Sequence, residues 1–231
     1  TFQPTGQLHT YFRPVLLKQF GQEPMSEDYK QVLWNQSEGG YKAFEWLVDW
    51  VRVHKVGENN FMTDDVTAFR QGKAAMSIDG SFRLGTLAGD TALNYGVTVL
   101  PPLNGVESTF SSFWTNGILA GVEGKELEAS AKFLQFLTSE EVMKRWTKEI
   151  GEIGARVSIA EDEELLADEK LAPFIKMLPY ATSYFYVDEA KDRQIVVDAI
   201  DMVLIDGMDP AEVLDYAVEQ AQALLDEYWN E

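Results

Sequence analysis

A helix-rich α/β fold is what this sequence predicts, on three observations. Apolar residues recur at helical spacing over long stretches, short apolar runs end at glycine or proline, and the two kinds of segment alternate along the chain. The 231 residues, 45% of them hydrophobic and 12% aromatic, are enough to bury a substantial core in one large domain or two small ones.

Taken in order, Leu8 to Phe20 is apolar and aromatic and reads as helix. Tyr41, Phe44, Leu47, Val48 and Val51 form the buried stripe of a second helix, ended by Gly57. Thr63 or Asp64 can cap a short helix that stops at Gly72. Ala74 to Ile78 then reads as a buried strand closed by the turn pair Asp79-Gly80. Gly96 to Leu100 is a second expected strand, stopped by Pro101-Pro102, and Gly117 to Val122 a third. A helix follows from Lys125 to Leu137, with Leu127, Ala131, Leu134 and Leu137 facing inward. Thr138 with Glu141 has the spacing of a capping box and opens the next helix. From Leu165 onward the pattern is nearly all helical. Asp209-Pro210-Ala211-Glu212 is a strong start for the last helix, which is lined by Val213, Leu214, Ala217, Ala221, Leu224, Leu225 and Tyr228.

The charge balance narrows the partners. Asp and Glu number 38 against 19 Lys and Arg, for a net charge of -19. Such a field repels phosphate backbones and anionic lipid surfaces, so nucleic acid is not an expected partner. There are no cysteines, which removes disulfides, thiolate metal sites and cysteine nucleophiles. No window is apolar enough to span a bilayer. The start at Thr1-Phe2-Gln3-Pro4 carries no signal-peptide pattern and is expected to be that of a processed or excised chain.

Catalytic patterns fail one by one. The two histidines, His9 and His54, are far apart and belong to no HExxH motif. No GxSxG elbow and no GxGxxG fingerprint occurs, and Gly72-Lys73 lacks the rest of a phosphate-binding loop. The acidic runs Asp64-Asp65 and Glu161 to Glu164 lack the spacing and glycine of a calcium loop. No cofactor and no metal are called for.

Four segments in one order resemble family 1 extracellular solute-binding proteins, the sugar-capturing components of ABC importers. Phe69-Arg70-Gln71-Gly72-Lys73-Ala74-Ala75-Met76-Ser77-Ile78-Asp79-Gly80-Ser81-Phe82 is similar to the family signature F-x-x-G-K-A-A-M-x-x-x-G-x-W. Asn94 to Pro102 resembles a strand of maltodextrin-binding members. Asn116 to Val122, with the Phe133-Leu134-Gln135-Phe136-Leu137-Thr138-Ser139-Glu140-Glu141 junction, resembles the next strand and helix pair. Gly151-Glu152-Ile153-Gly154-Ala155-Arg156 stands where the family has G-x-I-P-A-R, with Gly154 in place of the proline. The resemblance implies a fold of the periplasmic-binding-protein type II kind and the carboxy-terminal part of a longer, two-lobed protein. Residues 1–100 with 173–231 would form the C-terminal lobe, its first part absent, and 101–172 would complete the N-terminal lobe. Strand edges left open by missing neighbours could support a dimer. The resemblance further implies an extracytoplasmic protein, periplasmic or a surface lipoprotein, whose partners are a mono- or oligosaccharide held in an interlobe cleft and a membrane permease.

Site candidates follow from the same alignment, each beside a plain structural role. Phe82 stands where the family places a stacking tryptophan, and its alternative is core packing. Asp79 and Ser81 can bond sugar hydroxyls or simply shape the turn. Tyr11, in the His9-Thr10-Tyr11-Phe12 segment that aligns with a cleft loop, offers an aromatic face and a polar tip. Trp114 and Asn116 precede the third expected strand, and core burial is the competing role for Trp114. Arg193 falls where maltodextrin binders carry an aromatic cleft residue, which Tyr186 or Tyr184 could replace. Two further functions stay open: a carbohydrate-active enzyme domain with a carboxylate pair, and a protein-interaction domain without a small ligand.

Overall fold

The computed structural model describes residues 7–59, 61–62 and 64–230. Its elements run in chain order as α1 (His9–Tyr11), which continues into a π-helical stretch Phe12–Leu17, then α2 (Glu38–Arg52), α3 (Asp65–Arg70) and α4 (Arg83–Ala88). They go on as β1 (Thr109–Phe110), α5 (Gly124–Leu137), α6 (Glu140–Ile150), α7 (Val157–Ala160), α8 (Glu163–Leu166) and α9 (Ala172–Met177). After a 3-10 turn, Leu178–Tyr180, come β2 (Ala181–Thr182), α10 (Glu189–Leu204) and α11 (Pro210–Asn230). The chain divides into two compact units. The first comprises Thr1–Ile78, Leu100–Ser111 and Tyr180–Glu231, and the second Asp79–Val99 and Ser112–Pro179. Residues 79–99 thus group with the middle of the chain and 100–111 with the ends.

The first unit is built on helix periodicity. Phe44, Leu47 and Val48 of α2 are fully buried, with Tyr41 and Val51 at the margin of the same stripe. They pack with Phe12, Val15, Leu16 and Leu17 of the π-helical stretch, with Val196, Ile200 and Val203 of α10, and with Val213, Leu214, Ala217, Ala221 and Leu225 of α11. Burying each of the valine, leucine, isoleucine and phenylalanine side chains contributes roughly 1.5–3 kcal/mol. Gly40 has a steric reason: a Cβ there would lie 1.8 Å from the Trp34 carbonyl oxygen, so only glycine lets α2 start against that backbone. Asp64 caps α3 through a 2.6 Å bond from the Thr67 N–H, while Thr63 lies outside the described residues. Asp209 caps α11, accepting from Ala211 and Glu212 N–H groups as its sequence predicts.

The second unit has a smaller core, Ile159, Leu165, Leu171 and Ile175, with Leu84, Met143, Ile153, Ala160 and Leu166 against it. Here α5 buries no residue fully. Its expected inward face keeps its phase, with Ala131, Leu134 and Leu137 half-buried, but Leu127 is exposed. The cap of α6 is Ser139 and not Thr138. Thr138 closes α5 instead, donating its hydroxyl to the Leu134 carbonyl, so the helix start shifts by one residue.

Among the described residues, none of the three expected runs is part of a strand. Among the described residues the sole named sheet is the parallel pair β1–β2, with Thr109 beside Ala181 and Phe110 beside Thr182. Of the Ala74–Ile78 run only Ala74 is buried, and Met76 and Leu119 are each 82% exposed. Composition marks a segment as fit for a sheet. A ladder also needs a neighbouring strand in register, which the run itself does not provide.

Candidate functional site

In the first unit the chemistry gathers on Arg13, a charged residue within the apolar π-helical stretch and wholly buried. Its Nη1 donates to the Asp192 carboxylate and, at 3.3 Å, to the Asp192 carbonyl. Nε donates to the His9 carbonyl at 3.2 Å, and Nη2 reaches His9 Nδ1 at 2.9 Å and the Tyr186 hydroxyl at 3.4 Å. The guanidinium carbon lies 4.7 Å from the Tyr184 ring centroid, 4.9 Å from that of Tyr186 and 5.9 Å from that of Trp34. A guanidinium only donates, so His9 Nδ1 accepts and the imidazole is neutral, with its proton on Nε2. Burial, then the charges of Arg13 and Arg193, lower the His9 pKa to about 3. Burial also raises that of Asp192, against the pull of Arg13. The sequence signal for this cluster was the lone arginine in an apolar run, which the motif reading passed over.

The sequence candidates of this unit occupy different settings. His9 to Phe12 is helical and buried, not a loop. Tyr11 is 4% exposed, its ring centroid 5.9 Å from that of Trp50, and burial raises its pKa to about 12. Its ring is therefore core. Tyr184 is buried, and half-buried Tyr186 meets it edge-on at 4.9 Å. Arg193 is part-exposed and ion-paired with Glu189 at 2.9 Å.

In the second unit Asp79, Ser81 and Phe82 come together on one turn. Asp79 Oδ1 accepts from the Gly80 N–H at 2.8 Å, and Oδ2 accepts from Arg83 Nε at 2.7 Å. The Arg83 guanidinium carbon stands 5.4 Å over the Phe82 ring. Phe82 is 39% exposed, so the aromatic face reaches solvent. Gly80 makes room for it: a Cβ at Gly80 would come within 2.2 Å of Phe82 Cε1. Gly151, at φ +89°, lets the end of α6 approach the Ser81 carbonyl, where a Cβ would stand 2.7 Å away. Trp114 is 87% exposed, which overturns its core alternative, and Asn116 is exposed on the same extended segment. Among the described residues, no three His, Cys, Asp or Glu side chains are gathered to hold a metal.

The turn thus sets an aromatic face beside a carboxylate and a guanidinium. The chain is 25% identical over 155 residues to a galactooligosaccharide-binding protein of Bacillus subtilis (strain 168), covering 67% of this chain and 37% of that protein. Its fold matches that of the GacH receptor of Streptomyces glaucescens GLA.O, solved unliganded and with acarbose. The TM-score is 0.80 at 21% identity, over 97% of this chain and 58% of that one. It also matches UgpB of Mycobacterium tuberculosis in complex with glycerophosphocholine, with a TM-score of 0.76 at 15% identity, over 98% of this chain and 58% of the other. The expected type II periplasmic-binding fold is therefore present, in a chain that spans little more than half the length of these structures and about a third of the curated relative. The sequence model described as "Bacterial extracellular solute-binding protein" matches residues 4–173, and the chain belongs to that family.

Proposed function

We propose that this chain binds a neutral carbohydrate outside the cytoplasm and serves the permease of an ABC-type importer, without chemical conversion of the ligand. The observation that carries the reading is the solvent-facing Phe82 ring, set on a turn whose Asp79 carboxylate and Arg83 guanidinium flank it. Sugar rings present C–H faces that pack on aromatics and hydroxyls that need donors and acceptors together. The galactooligosaccharide-binding relative supports this ligand class. Trp114 and Asn116, both exposed, and the Ser81 hydroxyl are the next contacts we assign, from the same unit. The family's extracellular description supports the setting we propose, periplasmic or on a surface lipoprotein.

The test is a thermal-unfolding titration with galactotriose and maltotriose. A ligand at a hundredfold its Kd adds about 2.7 kcal/mol. For a chain of this size that raises Tm by roughly 5–11 °C. A sugar-specific rise with the sugar recovered intact supports the reading, and hydrolysis of the probe would favour the enzyme alternative. No rise with any sugar of a broad panel sinks it.

A further inference from the structure

We propose that Arg83 is a ligand-contacting, specificity-determining residue, whose guanidinium, stacked on Phe82 and anchored by Asp79, donates to oxygen atoms of the bound sugar. The inference rests on the carbohydrate reading and deepens it.

The plain role for Arg83 would be to clamp the turn that starts α4, but the turn is closed without it. The Gly80 N–H bonds the Asp79 carboxylate at 2.8 Å, and the Gly80 and Ser81 carbonyls accept from the Arg83 and Leu84 N–H groups at 3.0 Å. Arg83 is also the first residue of α4, at the positive end of the helix, where a cation is disfavoured and an acid would stabilise. A local rule broken at one position, with a purpose-built partner beside it, is what functional sites show.

The geometry leaves the donors of the guanidinium usable. Its Nε bonds Asp79 at 2.7 Å, and among the described residues Nη1 and Nη2 bond no acceptor. The Asp79 side chain is 10% exposed and that of Arg83 30%, so the anchor is sheltered and the fork meets solvent. The ion pair and the ring contact at 5.4 Å hold the fork in one orientation, which lowers the entropy lost on binding. Asp79 balances the cationic charge. The pair therefore suits an uncharged, hydroxyl-bearing ligand better than a phosphate.

The experiment is isothermal titration of galactotriose, maltotriose and glycerophosphocholine into the wild-type protein and into Arg83→Gln, Arg83→Lys and Phe82→Ala. For the sugar that the wild type binds, Arg83→Gln is expected to weaken affinity about tenfold or more, the loss of hydrogen bonds from a charged donor. Arg83→Lys should recover little of it, because a lysine lacks the planar fork. The Tm of the ligand-free protein should move little in either variant. Wild-type sugar affinity in Arg83→Gln overturns the assignment of Arg83 and leaves the carbohydrate reading standing. Binding of glycerophosphocholine alone, or of no sugar of the broad panel, overturns both.

Discussion

The two units differ in how completely they bury their apolar surface. The first closes a core around Trp34, Phe12 and Phe44, each at most 1% exposed, and stitches it with a buried ion pair. The second has four fully buried aliphatic residues in its named core and leaves Phe113, Trp114, Leu119, Phe133 and Phe136 between 59% and 87% exposed. Helices that face each other complete a hydrophobic surface by themselves, whereas extended runs need ladder partners and a covering layer. Stability therefore concentrates in the first unit, and the accessible aromatic chemistry in the second.

Paired substitutions can break this contrast. Phe44→Ala in the first unit should destabilise by about 3–5 kcal/mol, the transfer and cavity terms for a buried phenyl. Phe136→Ala in the second, at a position 60% exposed, should stay within about 0.5 kcal/mol. Urea unfolding of the two variants checks both, and equal losses would show that Phe136 is covered in solution.

A pH scan sharpens the role of the Arg13 cluster. The folded pKa of His9, about 3, lies below its ordinary value of 6.5, so the unfolded chain takes up the proton first. Stability is unaffected by this group above pH 6.5 and falls as the pH drops from there toward 3, by about 2 kcal/mol between pH 6.5 and 5. Burial shifts Asp192 upward, so it acts in the opposite sense. The interval from pH 6.5 to 5 lies between the unfolded and folded values of His9. Urea midpoints over that interval should slope in the wild type and flatten in His9→Gln.

The smallest expected effect compares two caps. Asp64→Ala removes bonds of 2.6 and 2.7 Å to Thr67 and should cost about 1 kcal/mol. Ser139→Ala removes a 3.5 Å cap contact and a 2.7 Å bond to the Phe136 carbonyl, and should cost less, about 0.5 kcal/mol. Thermal unfolding of both variants measures the difference.

The helices were legible in the sequence because periodicity and caps are local: the α2 stripe, the Asp64 cap and the Asp209-Pro210 start all stand in the structure. The strands were not, because whether Val97 or Leu119 lies in a sheet depends on a neighbour the run itself does not encode. For the candidate site, the family resemblance led to the Asp79–Phe82 turn, and the structure sets Arg83, one residue beyond that signature, against it. Tyr11 was singled out for its amphipathic ring, but ring chemistry does not report burial, and the packing of Trp50 against it decides its place. The Arg13–Asp192 pair joins residues 179 apart, a separation at which no local pattern can operate.

That separation also bears on synthesis. The side chains that close the first unit come from both ends of the chain: Gln222 accepts from the Val32 N–H, Asp215 from Asn35, and Asp192 from Arg13. A growing polypeptide must hold its early helices, with Phe12 and Phe44 uncovered, until α10 and α11 emerge. The residues of the second unit are translated in between. Long-range closure of this kind slows folding and prolongs exposure of apolar surface.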